Sequence, residues 1–261
     1  MPSLTPVVRK LLMWNVAIFL VSMVLSFQKG VFAEGMTYLS LNPFTWGTHA
    51  PYFPVWQLVT YGFLHSVGSL SHLAFNMLAL YFFGTLLEQL VGSTRMAVTY
   101  FGAMVAGGVL HLLASMLGSP HPAIGASGAV LGVIVAVAVL RPQTPVIFLI
   151  FPMTLKVMAM LIVGLDAFMV IVALRDGMDS GVAHWVHLGG ALFGFLWARK
   201  GWIWIDFPSR WTALRAQQAR QTEQDEAQRM DDLLAKIARD GIASLSQRER
   251  DFLKRMSERK R

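Results

Sequence analysis

Apolar residues run through the first three-quarters of this chain in long blocks, at about 11–27, 69–90, 96–117, 127–140, 155–174 and 184–198. Crossing a hydrocarbon core of about 30 Å takes roughly 20 helical residues. The pattern predicts six spans and an all-α, polytopic membrane bundle. The fourth and sixth blocks are short by that measure. Short spans are expected where a helix begins below the membrane surface, against protein or water.

The segments between the blocks differ in kind. Residues 28–68 are rich in aromatics and prolines, with Pro43, Trp46, Pro51, Tyr52, Pro54, Trp56 and Tyr61, and are not continuously apolar. This predicts a segment lying in the membrane interface. Pro145–Pro152 is apolar but interrupted by prolines, and is expected to dip as a loop before the fifth span. Beyond about residue 200 the pattern changes again. Met230, Leu233, Leu234 and Ile237 recur at helical spacing, and Gly241 follows as a stop. Ser246 and Glu249 then form a capping-box pattern ahead of Phe252, Leu253 and Met256. The chain therefore divides into a membrane domain, residues 1–200, and a tail, residues 201–261, expected to fold as a small helical hairpin. A lipid-binding interfacial tail is the alternative.

Charge sharpens this division. Of the 22 Lys and Arg, 15 lie at or beyond Arg199. A soluble domain carries charge over its whole surface, so the charge-poor stretches point to lipid as solvent. The segments placed inside by a cytoplasmic N-terminus carry Arg9, Lys10, Arg95, Arg141, Lys156, Arg199 and Lys200, whereas the outer ones carry Lys29 and Arg175. That asymmetry predicts cytoplasmic N- and C-termini. It also gives the net charge of +7 a topological role at the lipid surface, without nucleic acid as a partner. No cysteine is present, which excludes disulfides, thiolate metal sites and a cysteine nucleophile. The run Leu11–Phe27 lacks a clean small-residue cleavage site after it, so it is expected to stay as the first span.

Polar groups inside apolar blocks are costly and need a reason. They are His72, Asn76, Glu88, His111, Ser127, Asp166, His184 and His187. Ser127 lies in Gly125-Ala126-Ser127-Gly128, where Gly128 and Gly132 also make a small-xxx-small packing pattern. Packing alone accounts for this serine in isolation. Yet Ser127 follows Pro120 and Pro122 and opens the fourth helix, where free N–H groups and the dipole favour an oxyanion. A serine needs a base, and His184 and His187 open the sixth span. As a metal site two histidines are incomplete, and no cofactor is expected.

Counting helical rise from the cytoplasmic ends puts Ser127 roughly 21 Å above Arg141, His187 roughly 18 Å above Arg199, and Asn76 roughly 24 Å above Gly92. His72 lies one turn above Asn76 on the same face. Nucleophile, base and donors thus fall at one level, which suits acyl transfer. With no acidic residue close in sequence, a Ser127–His187 dyad is expected. Asp166 is taken as too deep to join it, and Glu88 and His111 as internal hydrogen-bonding groups.

Together these residues resemble the rhomboid family of intramembrane serine proteases. The resemblance rests on Phe63-Leu64-His65, Ser71-His72-Leu73-Ala74-Phe75-Asn76-Met77, Glu88 with Gly92-Ser93 and Arg95, Gly125-Ala126-Ser127-Gly128, and His187-Leu188-Gly189-Gly190. It implies a Ser127 nucleophile and a His187 base, with an oxyanion and substrate site from His72, Asn76, Gly125 and the Ser127 N–H. It implies hydrolysis of single-span membrane proteins within the bilayer, with entry beside the fifth helix. The tail is similar to one on some bacterial rhomboids, which places the chain in a bacterial inner membrane. One departure is Trp56-Gln57, where many relatives have Trp-Arg; it puts charge-based anchoring of the first outer loop in doubt. A catalytically silent rhomboid-like binder and a transporter are the competing functions.

Overall fold

The computed structural model describes residues 3–48, 52–116, 121–148, 150–176, 181–204 and 207–259. Pro51 and Pro120 lie outside them. Two compact units divide the chain, Met1–Ile205 and Asp206–Arg261.

In the first unit, helix α1 (Pro6–Leu25) starts on a proline, whose fixed φ and missing N–H suit a first turn. Its next two N–H groups, on Val7 and Val8, donate to the Glu88 carboxylate at 3.0–3.1 Å. Glu88 thus caps a helix 80 residues away in sequence, where a negative charge meets the positive dipole end. Residues 28–68 contain α2 (Lys29–Leu39), α3 (Pro43–Thr48), α4 (Gln57–Thr60) and a 3-10 turn (Tyr61–Phe63).

Helix α5 (Leu70–Ala79) runs through a π-helical stretch (Leu80–Gly84) into α6 (Thr85–Val91). Gly92, at φ +84°, separates it from α7 (Ser93–Ser115). Then come α8 (Ser127–Leu140), α9 (Leu155–Asp176) and α10 (His184–Arg199). Among the described residues, Pro6–Leu25, Leu70–Val91, Ser93–Ser115 and Leu155–Asp176 are long and apolar enough to cross a membrane, and Ser127–Leu140 is a shorter apolar helix.

Helix α8 is the centre of the bundle, with every residue from Gly128 to Ala138 buried. A helix apolar all round belongs inside. It meets α10 through glycines: a Cβ at Gly190 would strike the Gly128 carbonyl, and one at Gly194 the Gly132 carbonyl. The small-xxx-small reading of Gly128 and Gly132 is therefore correct, with Gly190 and Gly194 as its counterpart. By contrast, α9 turns Leu161, Leu165, Phe168 and Ile171 outward. In lipid such a face carries no penalty.

Pro145–Pro152 is not an irregular dip. Pro145–Phe148 (β1) and Phe151–Thr154 (β2) pair antiparallel, the small exception to the all-α bundle. Valine, isoleucine and phenylalanine favour extended backbone, and pairing satisfies polar groups that a loop leaves open.

The second unit comprises α11 (Phe207–Asp240), a 3-10 turn (Ile242–Ser244) and α12 (Gln247–Arg259). Leu233, Leu245 and Phe252 form its core, with Met230, Ile237, Leu253 and Met256 against them. Leu234, expected on that face, is exposed, and Leu245 from the turn closes the core instead. Gly241 takes φ +77°, and the capping box forms: Ser246 N–H donates to Glu249 at 2.7 Å and Glu249 N–H to the Ser246 hydroxyl at 3.4 Å.

Candidate active site

Ser127 is the first residue of α8 and His187 lies in the first turn of α10. Since glycines bring these two helices into backbone contact, their opening residues face each other. The Ser127 hydroxyl and His187 Nε2 are 2.7 Å apart, a strong O–H···N distance. They line a cavity of about 640 Å³ together with His72, Phe75, Asn76 and Ser71. The four residues predicted from depth and motif are thus gathered around one space.

The backbone between His72 and Ser127 turns on Gly125. Its φ of +122° lies in the region glycine favours, and its N–H donates to the Tyr61 carbonyl at 2.9 Å. A Cβ on Gly125 would stand 2.8 Å from His72 Nε2 and 3.8 Å from Ser127 Oγ. The imidazole of His72 therefore approaches the serine across a backbone that has no side chain. Around this turn, Leu41 and Ala123 exchange two backbone hydrogen bonds, and the Tyr61 hydroxyl donates to the Met104 carbonyl at 2.7 Å. Asn76 lines the cavity, but its amide donates to the His72 carbonyl at 2.9 Å and to His65 Nε2 at 3.4 Å. His65, buried at 1% exposure, is a neighbour of the site that spacing did not single out.

One expectation is overturned. Asp166 is not too deep to reach the histidine: its Oδ1 lies 2.9 Å from His187 Nδ1 and 2.5 Å from His184 Nδ1. The signal was present in the rise count, which puts Asp166 roughly 15 Å above Lys156 on α9, about half a turn below His187. Sequence distance hid it, because the carboxylate comes from a different span. The expected pair of Ser127 and His187 is extended in the structure to a hydrogen-bonded chain from Asp166 through His187 to Ser127. The donor atoms of Asp166, His184 and His187 lie within 4.8 Å of one another, a set a transition metal could use. Direct hydrogen bonds already account for their convergence.

The rhomboid domain profile matches residues 53–203, which contain His65, His72, Asn76, Gly125, Ser127, Asp166, His184 and His187. The chain belongs to the rhomboid family. A second profile, a family of unknown function (DUF6576), matches residues 217–259 in the second unit. Among curated rhomboids, the chain is 44% identical to the rhomboid protease GluP of Bacillus subtilis over 77 residues, 30% of this chain and 14% of that protein. It is 31% identical to the mitochondrial rhomboid protein 1 of Saccharomyces cerevisiae over 134 residues, 50% of this chain and 37% of that one. To the RHOMBOID-like protein 1 of Arabidopsis thaliana it is 32% identical over 142 residues, 54% and 33% of the two chains. The chain thus spans less than half the length of each of these relatives.

In this rhomboid, Gln57 answers the question raised by the missing arginine. It is buried at 1% exposure. Its Oε1 accepts from Asn42 N–H at 3.1 Å, the Thr45 hydroxyl at 3.3 Å and Trp46 Nε1 at 3.0 Å. Its Nε2 donates to the Thr37 and Tyr38 carbonyls at 3.3 and 3.2 Å. A neutral amide, donor and acceptor at once, pins the loop without charge. His111, as expected, serves internally, its Nε2 donating to the His121 carbonyl at 2.9 Å. Glu88 does so as the cap of α1.

Proposed function

We propose that the protein is an intramembrane serine endopeptidase that cuts single-span membrane proteins in or near their transmembrane segments. The observation that carries this reading is the 2.7 Å contact of Ser127 Oγ with His187 Nε2 beside an open cavity. In the first step Ser127 gives its proton to His187 Nε2 as Oγ attacks the scissile carbonyl carbon. The carbonyl oxygen becomes an oxyanion. His72 Nε2 and the Ser127 N–H at the start of α8 supply its donors, with Gly125 leaving room for it, and the Asn76 amide joins them by giving up its 3.4 Å contact with His65. His187 then gives the proton to the departing amine. A water molecule, deprotonated in turn by His187, hydrolyses the acyl-enzyme and restores Ser127.

Six crossings follow if α8 and α10 complete the four long spans. Lys and Arg placement supports cytoplasmic termini with the cavity toward the outer face, and the likeness of the tail to that of some bacterial rhomboids supports a bacterial inner membrane. Because α8 and α10 start below the surface, water reaches Ser127 through protein and not through lipid.

Purified wild-type protein incubated in detergent with a fluorescent transmembrane substrate should cleave it, and Ser127→Ala should not. A fluorophosphonate probe should label wild type on Ser127. Folded wild-type protein that binds substrate, leaves it intact and takes up no probe would replace this reading with a non-catalytic rhomboid-like binder.

A further inference from the structure

We infer that Asp166 is a positioning residue for His187, and that His184 acts through Asp166 as its second anchor; this rests on the protease reading above. An ionised carboxylate only accepts hydrogen bonds. Both imidazoles therefore present Nδ1–H to the same Oδ1, at 2.9 Å from His187 and 2.5 Å from His184. That fixes the neutral His187 tautomer, leaving the Nε2 lone pair for the Ser127 hydroxyl 2.7 Å away. Without the anchor the ring is free to take the other tautomer, whose Nε2–H faces the serine and cannot take its proton. When His187 does accept the proton, the carboxylate faces the new positive charge.

Placement supports the same role. Asp166 is 6% exposed on a helix whose neighbouring residues Leu165 and Phe168 face outward. A carboxylate there is costly and needs compensation. Its two described hydrogen bonds both go to histidines, one of them the base. His184 and His187 stand at i and i+3 on α10, so one helix face grips one oxygen from two sides. A single donor would leave the carboxylate free to turn; two fix it. The imidazole of His72, across the cavity, and the Ser127 hydroxyl are the other groups turned toward His187.

The test is steady-state cleavage of the transmembrane substrate by full-length variants in detergent. Asp166→Asn can offer an amide N–H to Nδ1 and select the wrong tautomer, so kcat should fall about 10²–10⁴-fold while KM holds. His184→Phe, which removes the second donor, should lower kcat about tenfold. His184→Gln, which keeps an N–H within reach, should recover most of that loss. The double variant Asp166→Asn/His184→Phe should be no worse than Asp166→Asn alone, since both act on one linkage. Half or more of wild-type kcat in folded Asp166→Asn, or a rise in KM at constant kcat, overturns the inference. Equal damage from His184→Gln and His184→Phe overturns the role of His184. Should Asp166→Asn fail to fold, the two His184 variants decide. Wild type without cleavage or Ser127 labelling would instead remove the protease reading itself.

Discussion

Gly190 of α10 rests directly on the carbonyl oxygen of Gly128 in α8, leaving no room for a side chain between them. The contact lies one residue past Ser127 and three past His187, so it sets the separation of these two side chains. Gly190→Ala must push the helices apart by a methyl group. Thermal unfolding in detergent should show a loss of about 1–3 kcal/mol, with probe labelling of Ser127 falling further than the folded fraction. Gly164→Ala, where a Cβ meets nothing within 4 Å, is the matched control and should change neither.

Gln57 joins three acceptor contacts and two donor contacts in the outer loop. Gln57→Leu leaves the Asn42 N–H and Trp46 Nε1–H without a buried partner. The expected cost is about 2–4 kcal/mol, read as a lower unfolding temperature. Gln57→Arg, which brings in the residue the family resemblance leads one to expect, should not be neutral here, because a guanidinium cannot accept those hydrogen bonds.

Glu88 takes two N–H groups of α1 and the Ser93 hydroxyl, the last at 2.6 Å. Glu88→Gln keeps shape but loses the charge at the helix N-terminus and turns an acceptor into a donor. A destabilisation of about 1–2 kcal/mol is expected. Protease protection of the α1 N-terminus should drop before that of α8, and equal loss in both would count against the capping role.

In the tail, Ser246 and Lys236 hold the Glu249 carboxyl down at about 2. A carboxyl lowered on folding adds stability that is complete above its unfolded value, about 4.3. That stability declines as pH falls and is gone below about 2. Methyl resonances of Leu233 and Leu253 in the full chain should therefore shift between pH 5 and pH 2. Glu249→Gln should abolish the shift in that window, and an unchanged titration in that variant would refute the assignment.

Much of this was legible along the chain. The blocks fix the six apolar helices to within a few residues, because lipid solvation makes hydropathy nearly a map of the fold. The capping box at Ser246 and Glu249 and the glycine pattern at Gly128 and Gly132 are local signals, and they translate directly. What stays hidden is what depends on partners from distant segments. Asp166 meets His187 across two helices, Glu88 meets Val8 across most of the domain, and Leu245 displaces Leu234 from the tail core. The π-helical stretch in Leu80–Gly84 likewise has no marker in the pattern.

Asp166 belongs to α9, the long span with the highest mean hydropathy of the four, while Ser127 and His187 belong to helices fastened backbone to backbone. Asp166 and the histidines it contacts are thus carried on different helices, and only the histidines' helix is locked to α8 through glycines. If a transmembrane segment enters by swinging α9 outward, the same motion withdraws the carboxylate from His187. On the protease reading proposed above, the site would then be disarmed while open and rearmed as α9 closes on the bound segment.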